Sequence, residues 1–275
     1  MAGSARRYVS MLSARLAAIR RCRAESCRSI VAEMQRTLTL ARQAGTRLIR
    51  LIEREFAPRR CVFCDVPTES PERFVCAGCD AELPRIASAC PGCALPVAVD
   101  LPRGVRCAAC QTAPPLWSLA FAPLEYAFPV DAAVKAMKFR RRLDYLPAFD
   151  DELRAVELPP DVDAVVPVPL HRWRQLRRGF NQAEELARPI AKRLGVPLRR
   201  AVRRCLPTDS QSGLDAASRR RNLRAAFRAV DSLPASHVLL VDDVITTGET
   251  LRGVTKVLAE AGVEKVSVLA LARAV

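Results

Sequence analysis

Asp242 and Asp243 stand side by side at the end of the apolar run Val238-Leu239-Leu240-Val241, and Val244-Ile245-Thr246-Thr247-Gly248-Glu249-Thr250 follows at once. Adjacent carboxylates accept hydrogen bonds from vicinal sugar hydroxyls and repel phosphate. Hydroxyls and free backbone N–H groups at a helix start do the opposite, because the helix dipole and its unpaired donors favour an anion. This order suits a ribose that carries a phosphate. The elements that must hold such a ligand can be read around it. The continuous apolar run belongs in a parallel sheet buried on both faces. The carboxylates then fall at the carboxyl end of a strand, where open α/β sheets bind ligands. Leu251, Val254, Val257, Leu258 and Ala261 continue at helical spacing, so the loop opens a helix aimed at the phosphate. The plain alternative is a buried strand followed by an acidic turn. A Walker B strand also ends in acidic residues, but it needs a G-x-x-x-x-G-K-[ST] loop, and the chain has none.

All thirteen positions from Val238 to Thr250 resemble the 5-phosphoribosyl-1-pyrophosphate (PRPP) motif of type I phosphoribosyltransferases. The resemblance implies that Asp242 and Asp243 accept hydrogen bonds from the ribose 2′ and 3′ hydroxyls. It assigns the 5′-phosphate to Thr246, Thr247, Gly248 and Thr250, with Mg²⁺ accompanying the PRPP. Upstream, the strand Ala164–Val168 runs into Pro169-Leu170-His171, and Arg172, Arg174, Arg177 and Arg178 crowd the residues before Gly179. In such enzymes the loop after the first core strand holds pyrophosphate through backbone N–H groups and nearby cations. Val168, Pro169, Arg178 and Gly179 occupy that place here, although a solvated basic helix entrance would look similar. Between the two strands, Thr208–Asp215 with Arg219 and Asn222 occupies the position of the lid over the reaction centre in type I enzymes, with Gln211, Arg219 and Asn222 its candidate working residues, although on composition a plain surface loop reads equally well. Excluding water is what a reactive ribosyl cation needs.

Cysteine carries the second signal. Cys61/Cys64, Cys76/Cys79, Cys90/Cys93 and Cys107/Cys110 form four C-x-x-C pairs, eight of the eleven cysteines. One tight turn offers two thiolates to a metal, and two turns close a tetrahedral Cys₄ zinc site, so two structural zincs are expected. Spacing does not choose between pairing first with second and first with third. The sequential choice closes shorter loops and is preferred. Disulfide scaffolds belong to secreted chains, and no signal peptide is evident. A redox C-x-x-C usually comes singly. Large apolar residues are few in this segment, so metal must supply much of its folding energy.

The formal charge of +15 is uneven. Residues 1–60 carry 14 Arg/Lys against 4 Asp/Glu, residues 61–160 carry 10 against 13, and residues 161–275 carry 20 against 12. Positive charge on the first and last segments suits polyanionic partners. No apolar run reaches a membrane span, and the reduced-thiol reading places the chain in the cytoplasm. The expected organisation is a basic helical extension over 1–55, a double zinc ribbon over 56–113 and an α/β domain over 114–275. Within the last, a strand-like stretch near Leu119–Tyr126 precedes helices Val130–Phe139 and Leu146–Ala155, strand Ala164–Val168, a helix near Gln182–Leu194, and a final strand Lys265–Ala272. This alternation predicts a parallel sheet with helices on both faces.

Taken in order, the double ribbon, Met137-Lys138-Phe139-Arg140, Pro167-Val168-Pro169-Leu170, Arg178-Gly179-Phe180-Asn181-Gln182, Thr208-x-x-Gln211-x-x-Leu214, Arg219-x-x-Asn222 and the PRPP motif resemble the ComF family over about residues 46–275. The resemblance implies a type I phosphoribosyltransferase-like core and a cytoplasmic protein of bacterial DNA uptake (competence) or DNA utilisation. Its implied partners are PRPP with Mg²⁺, single-stranded DNA, and a DNA-uptake helicase or other competence proteins. Base recognition is what the sequence does not spell. The expected hood, around residues 116–146, offers Tyr126, Phe128, Lys138 and Phe139. Two functions therefore stay open: a phosphoribosyltransferase acting on a nucleotide or DNA end, and a non-catalytic single-stranded-DNA adaptor whose PRPP site senses a ligand or is vestigial.

Overall fold

The run that ends in the two aspartates lies at the centre of a parallel sheet. The computed structural model describes residues 59–97, 102, 104–205, 226–230, 232–233 and 235–275. The expected extension over 1–55, and Gln211, Arg219 and Asn222, fall outside these. Arg60–Val275 forms one compact unit. In chain order it contains α1 (Ala77–Ala81), α2 (Ala108–Thr112), β1 (Leu119–Phe121), β2 (Leu124–Glu125), α3 (Val130–Arg140), α4 (Leu146–Arg154), β3 (Ala164–Pro167), α5 (Arg172–Arg178) and α6 (Gln182–Leu194). There follow β4 (Val202–Arg204), β5 (Phe227–Ala229), β6 (Ala235–Ile245), α7 (Glu249–Glu260) and β7 (Val263–Arg273).

β6 pairs with β3 on one side and β7 on the other, and the far edge of β7 takes β1 and then β2, all in parallel. β4 and β5 form a separate antiparallel pair. Along β6 the side chains alternate between two cores, as a strand's period of two requires. Val238 and Leu240 pack with Leu251, Val254 and Leu258 of α7. Leu239 and Val241 pack with Met137 of α3, Phe149 of α4, and Leu186 and Ile190 of α6. All four β6 residues are fully buried, which is why their sequence is apolar without interruption.

Three elements differ from their sequence expectation. The stretch near Leu119–Tyr126 is two strands, because Pro123 has no N–H to give the ladder. Its carbonyl instead accepts from Ile86 N at 2.8 Å. The arginine-rich segment after His171 is itself a short helix, α5, capped at its end by Gly179 in the left-handed region (φ 85°). Finally, β6 runs four residues past Val241, so the two aspartates lie within a strand and not beyond it. β3 stops at Pro167, opposite Val241, whereas β7 goes on pairing through Ile245. The last residues of β6 thus have a neighbour on one side only, and the open side faces a cavity.

The cysteine segment is a structural repeat that its spacing alone did not reveal. Each half begins with a C-x-x-C turn closed by a bond back to the first cysteine carbonyl, Asp65 N to Cys61 O and Ala94 N to Cys90 O. The residue after each turn has positive φ, 62° at Asp65 and 55° at Ala94. Each second C-x-x-C pair starts a one-turn helix, Cys76 before α1 and Cys107 before α2. The first half docks on α4: the Phe63 ring lies 5.6 Å from Tyr145 and 6.4 Å from Phe149, and Arg85 forks onto Glu152 at 3.0 and 2.6 Å.

Candidate functional site

Where β3 ends and β6 continues, a cavity of about 280 Å³ opens. Val168, Pro169, Arg178, Asp242, Asp243, Thr246 and Thr250, all singled out from sequence, line it together. Thr247 and Gly248 belong to the same short loop, which Gly248 closes as the N-cap of α7 with φ 76°. Gly179 is the one that stands apart, at the end of α5, where its left-handed backbone turns the chain toward Asn181. Asn181 caps α6 by accepting from Ala183 N, and its amide donates to Val168 O at 3.0 Å. That bond ties the loop after β3 to the start of α6.

The cavity sets two carboxylates against cations. Lys138 of α3 donates to both oxygens of Asp243, at 2.9 and 2.8 Å. Burial, and then the Asp243 charge beside it, push the Asp242 carboxyl up to about 7, although the Asp243 N–H donates to it at 2.8 Å. Arg174, Arg178 and Arg204 complete the lining. Burial lowers the Arg178 and Arg204 values, the Asp243 and Asp242 charges opposing this in turn, and both guanidiniums stay charged. Arg204 sits on β4, remote in sequence, and nothing in its basic run marked it. Of the hood residues, Tyr126 and Lys138 reach the cavity, while Phe128 and Phe139 are 81 and 70 % exposed. A second cavity, about 460 Å³, lies across the Pro167–Leu170 turn, beside Arg200 and Cys205. It holds neither aspartate nor threonine, so the smaller one is the ribose-phosphate candidate.

Neither histidine offers itself to this cavity as a base. His171 is buried and caps α5, its Nδ1 accepting from Trp173 N at 3.4 Å. His237 lies between Ser267 Oγ (2.8 Å) and Asp161 Oδ1 (3.0 Å), an order that mimics a hydrolase triad. Ser267 is wholly buried in β7, so no substrate can reach it and the chain of groups is structural.

The eight C-x-x-C cysteines form two clusters in the sequential order, Cys61/Cys64/Cys76/Cys79 and Cys90/Cys93/Cys107/Cys110, with sulfurs within 4.8 Å of one another. Both fit a tetrahedral metal by their chemistry. In each, one thiol ionises readily: burial opposes it, yet neighbouring N–H groups bring Cys61 to about 7 and Cys90 to about 6. Gly92 N and Cys107 N donate to Cys90 Sγ at 3.4 and 3.2 Å. Burial and the adjacent sulfurs push Cys79 and Cys110 up. Four thiols this close lose their protons to solvent together only when a cation binds the resulting thiolates, as at closed Cys₄ zinc sites. Cys205 is outside both clusters and exposed.

The chain is similar to known proteins. Residues 176–274 match the phosphoribosyl transferase domain family. Competence protein F of Haemophilus influenzae is 34% identical over 229 residues, covering 78% of this chain and 97% of that protein. The DNA utilization protein YhgH of Escherichia coli K12 is 32% identical over 227 residues, with the same two coverages. Competence protein ComFC of Bacillus subtilis is 28% identical over 206 residues, covering 70% of this chain and 80% of that one.

Proposed function

The chain belongs to the ComF family of competence and DNA-utilisation proteins, and from that premise we propose that it binds PRPP with Mg²⁺ in the cavity beside Asp242 and Asp243. We propose further that it holds single-stranded DNA on the adjoining basic face, as a cytoplasmic protein of bacterial DNA uptake or utilisation. The observation that carries the ligand reading is the open side of β6, where carboxylates, a threonine loop at a helix start and a ring of cations share one cavity.

In this reading Asp242 and Asp243 accept the ribose hydroxyls. Thr246, Thr247, Gly248 and Thr250 receive the 5′-phosphate with the first N–H groups of α7. Val168 and Pro169 of the turn after β3, with Arg178, face the pyrophosphate, and Gly179 sets the turn that places Arg178. Mg²⁺ offsets the pyrophosphate charge when it accompanies the ligand. Lys138 holds Asp243 in place and neutralises it before a ligand arrives. If phosphoribosyl transfer occurs, these fixed charges stabilise the ribosyl cation, and no covalent nucleophile is needed. The lid role of Gln211, Arg219 and Asn222 belongs to the same reading.

A second reading, a non-catalytic adaptor that senses PRPP, is favoured by one observation. Phe128 and Phe139 are exposed, which leaves Tyr126 as the one aromatic ring among the described cavity residues to stack on a nucleobase. The same exposed Phe139, with Trp173 of α5, supplies stacking surfaces among Arg140, Arg141, Arg174 and Arg177, the composition a single strand requires. A DNA-uptake helicase or another competence protein is the partner class that such an adaptor would serve.

Calorimetric titration of PRPP with Mg²⁺ into the native chain and into Asp242→Ala/Asp243→Ala tests the ligand reading. Saturable binding that the variant loses supports it. No heat with folded native protein overturns it and leaves DNA binding as the function.

A further inference from the structure

The two four-cysteine sites are attached to the rest of the molecule in different ways. The first rests on α4 through Phe63, whose ring meets Tyr145 and Phe149. In the second, three successive carbonyls of the metal turn are taken by the α/β core. Ala120 N donates to Pro91 O at 2.8 Å, Trp117 Nε1 to Gly92 O at 2.8 Å, and Arg273 Nε to Cys93 O at 2.9 Å. Two of these three donors also hold the threonine loop. Arg273 Nη1 donates to Ile245 O at 2.9 Å and to Thr246 O at 2.6 Å. The Trp117 ring lies so close to Gly248 that a Cβ there would sit 3.1 Å from it. Both side chains are nearly buried, at 9 and 5 % exposure. Ala94, which ends the metal turn with positive φ, is itself part of the core that contains Trp117 and Leu251 of α7.

We propose that the second site, Cys90/Cys93/Cys107/Cys110, is a clamp on the ribose-phosphate loop, with Trp117 and Arg273 as positioning residues, so that a metal there fixes Thr246–Gly248 and sets phosphate affinity. The physical argument is that a one-turn knuckle has little core of its own and keeps its shape through its metal. Once the turn between Cys90 and Cys93 relaxes, the acceptors of Trp117 and Arg273 move. A buried guanidinium or indole that loses its partner must shift to find another, and that shift disturbs the contacts it already makes with the loop, Arg273 Nη1 with Thr246 O (beside Ile245 O and Ala274 O) and the Trp117 ring with Gly248. Among the described residues the first site has no such side chain in common with the loop, and its metal sets the stability of its own half. The affinity part of this proposal rests on the PRPP reading above; the clamp itself does not.

The test uses the full chain with Trp173→Phe, which leaves Trp117 as its single tryptophan, and compares Cys93→Ser with Cys64→Ser. Each is expected to lose about one bound zinc. Only Cys93→Ser is expected to red-shift the Trp117 emission, to speed hydrogen exchange of the peptide spanning residues 245–250, and to weaken PRPP·Mg²⁺ binding by about tenfold. Trp117→Phe, which keeps an aromatic side chain but removes both the N–H and the outer indole edge that meets Gly248, is expected to retain both metals and to speed the same exchange, so the clamp stays testable if Cys93→Ser fails to fold. Loss of the second metal with loop exchange unchanged would overturn the proposal, as would equal loosening by Cys64→Ser. If the parent binds no PRPP, the exchange and emission readings still decide the clamp, and only the ligand assignment falls.

Discussion

Asp242 and Asp243 are neighbours in sequence with unlike surroundings. Asp243 is paired with Lys138, whereas Asp242 is half-buried behind it and its carboxyl is pushed up to about 7. The unfolded chain releases that proton near pH 4. Between about pH 4 and pH 7 the folded protein therefore holds a proton that the unfolded chain has lost, so this group makes stability fall as pH rises through the window. Asp242→Asn keeps the shape and removes the titration. The ligand-free variant is expected to be more stable than the native chain at pH 8, by about 1–3 kcal/mol, and no more stable at pH 4. Denaturant titrations at the two pH values check it, and an equal effect at both would remove burial of a charge as the cause. A stability cost of this kind at Asp242 is what the proposed ribose site predicts. The pair was plain in the sequence. Its inequality was not, since Lys138 lies 105 residues away in α3 and Arg204 is on β4.

Two helices of quite different legibility make the basic face. α3 shows a helical pattern in sequence, with Val130, Ala133, Val134 and Met137 buried on one side. α5 has no buried residue at all and is held by its caps, His171 at one end and Gly179 at the other, which is why periodicity did not find it. The helices meet where the Arg178 guanidinium lies 5.5 Å over the Phe139 ring and Arg141 donates to Arg177 O at 2.9 Å. Phe139 and Trp173 are left 70 and 66 % exposed among these cations. For oligonucleotide binding read by fluorescence anisotropy, Phe139→Ala and Trp173→Ala are each expected to cost about 1–3 kcal/mol at every salt concentration. Arg177→Ala is expected to flatten the salt dependence between about 50 and 200 mM by roughly one unit of log–log slope. Full affinity after both aromatic truncations would move the strand to another surface.

At the scale of the whole molecule, the cysteine-rich half and the α/β half of Arg60–Val275 are joined by ion pairs, aromatic packing and the carbonyl bonds of the second metal turn. The cysteine segment brings few large side chains of its own, with Val75 and Leu83 among its buried apolar residues. Freshly purified protein is expected to carry about two zinc ions per chain, and a strong chelator is expected to release both and unfold residues 60–112 before the sheet. Metal analysis and proteolysis of the chelated chain measure this; a metal-free yet folded preparation rules it out. No helix among the described residues is long and apolar enough to cross a membrane.

Local pattern in the chain was enough for the parallel sheet, the order of its main elements and the eight metal-ligating cysteines, whereas which C-x-x-C pairs share a site was decided by the folded structure. A four-residue apolar run is a strand buried on two faces, α6 has the bounds Gln182–Leu194 that its spacing predicts, and C-x-x-C spacing identifies ligand turns. Tertiary structure alone decided how far those parts act on one another. The early end of β3 at Pro167 opens the side of β6 on which the aspartates meet their cations. Trp117 and Arg273 joined a metal turn to the threonine loop although no local pattern sets either apart. Such links depend on strand register and on the reach of single buried side chains, and neither is written in the spacing of residues along the chain.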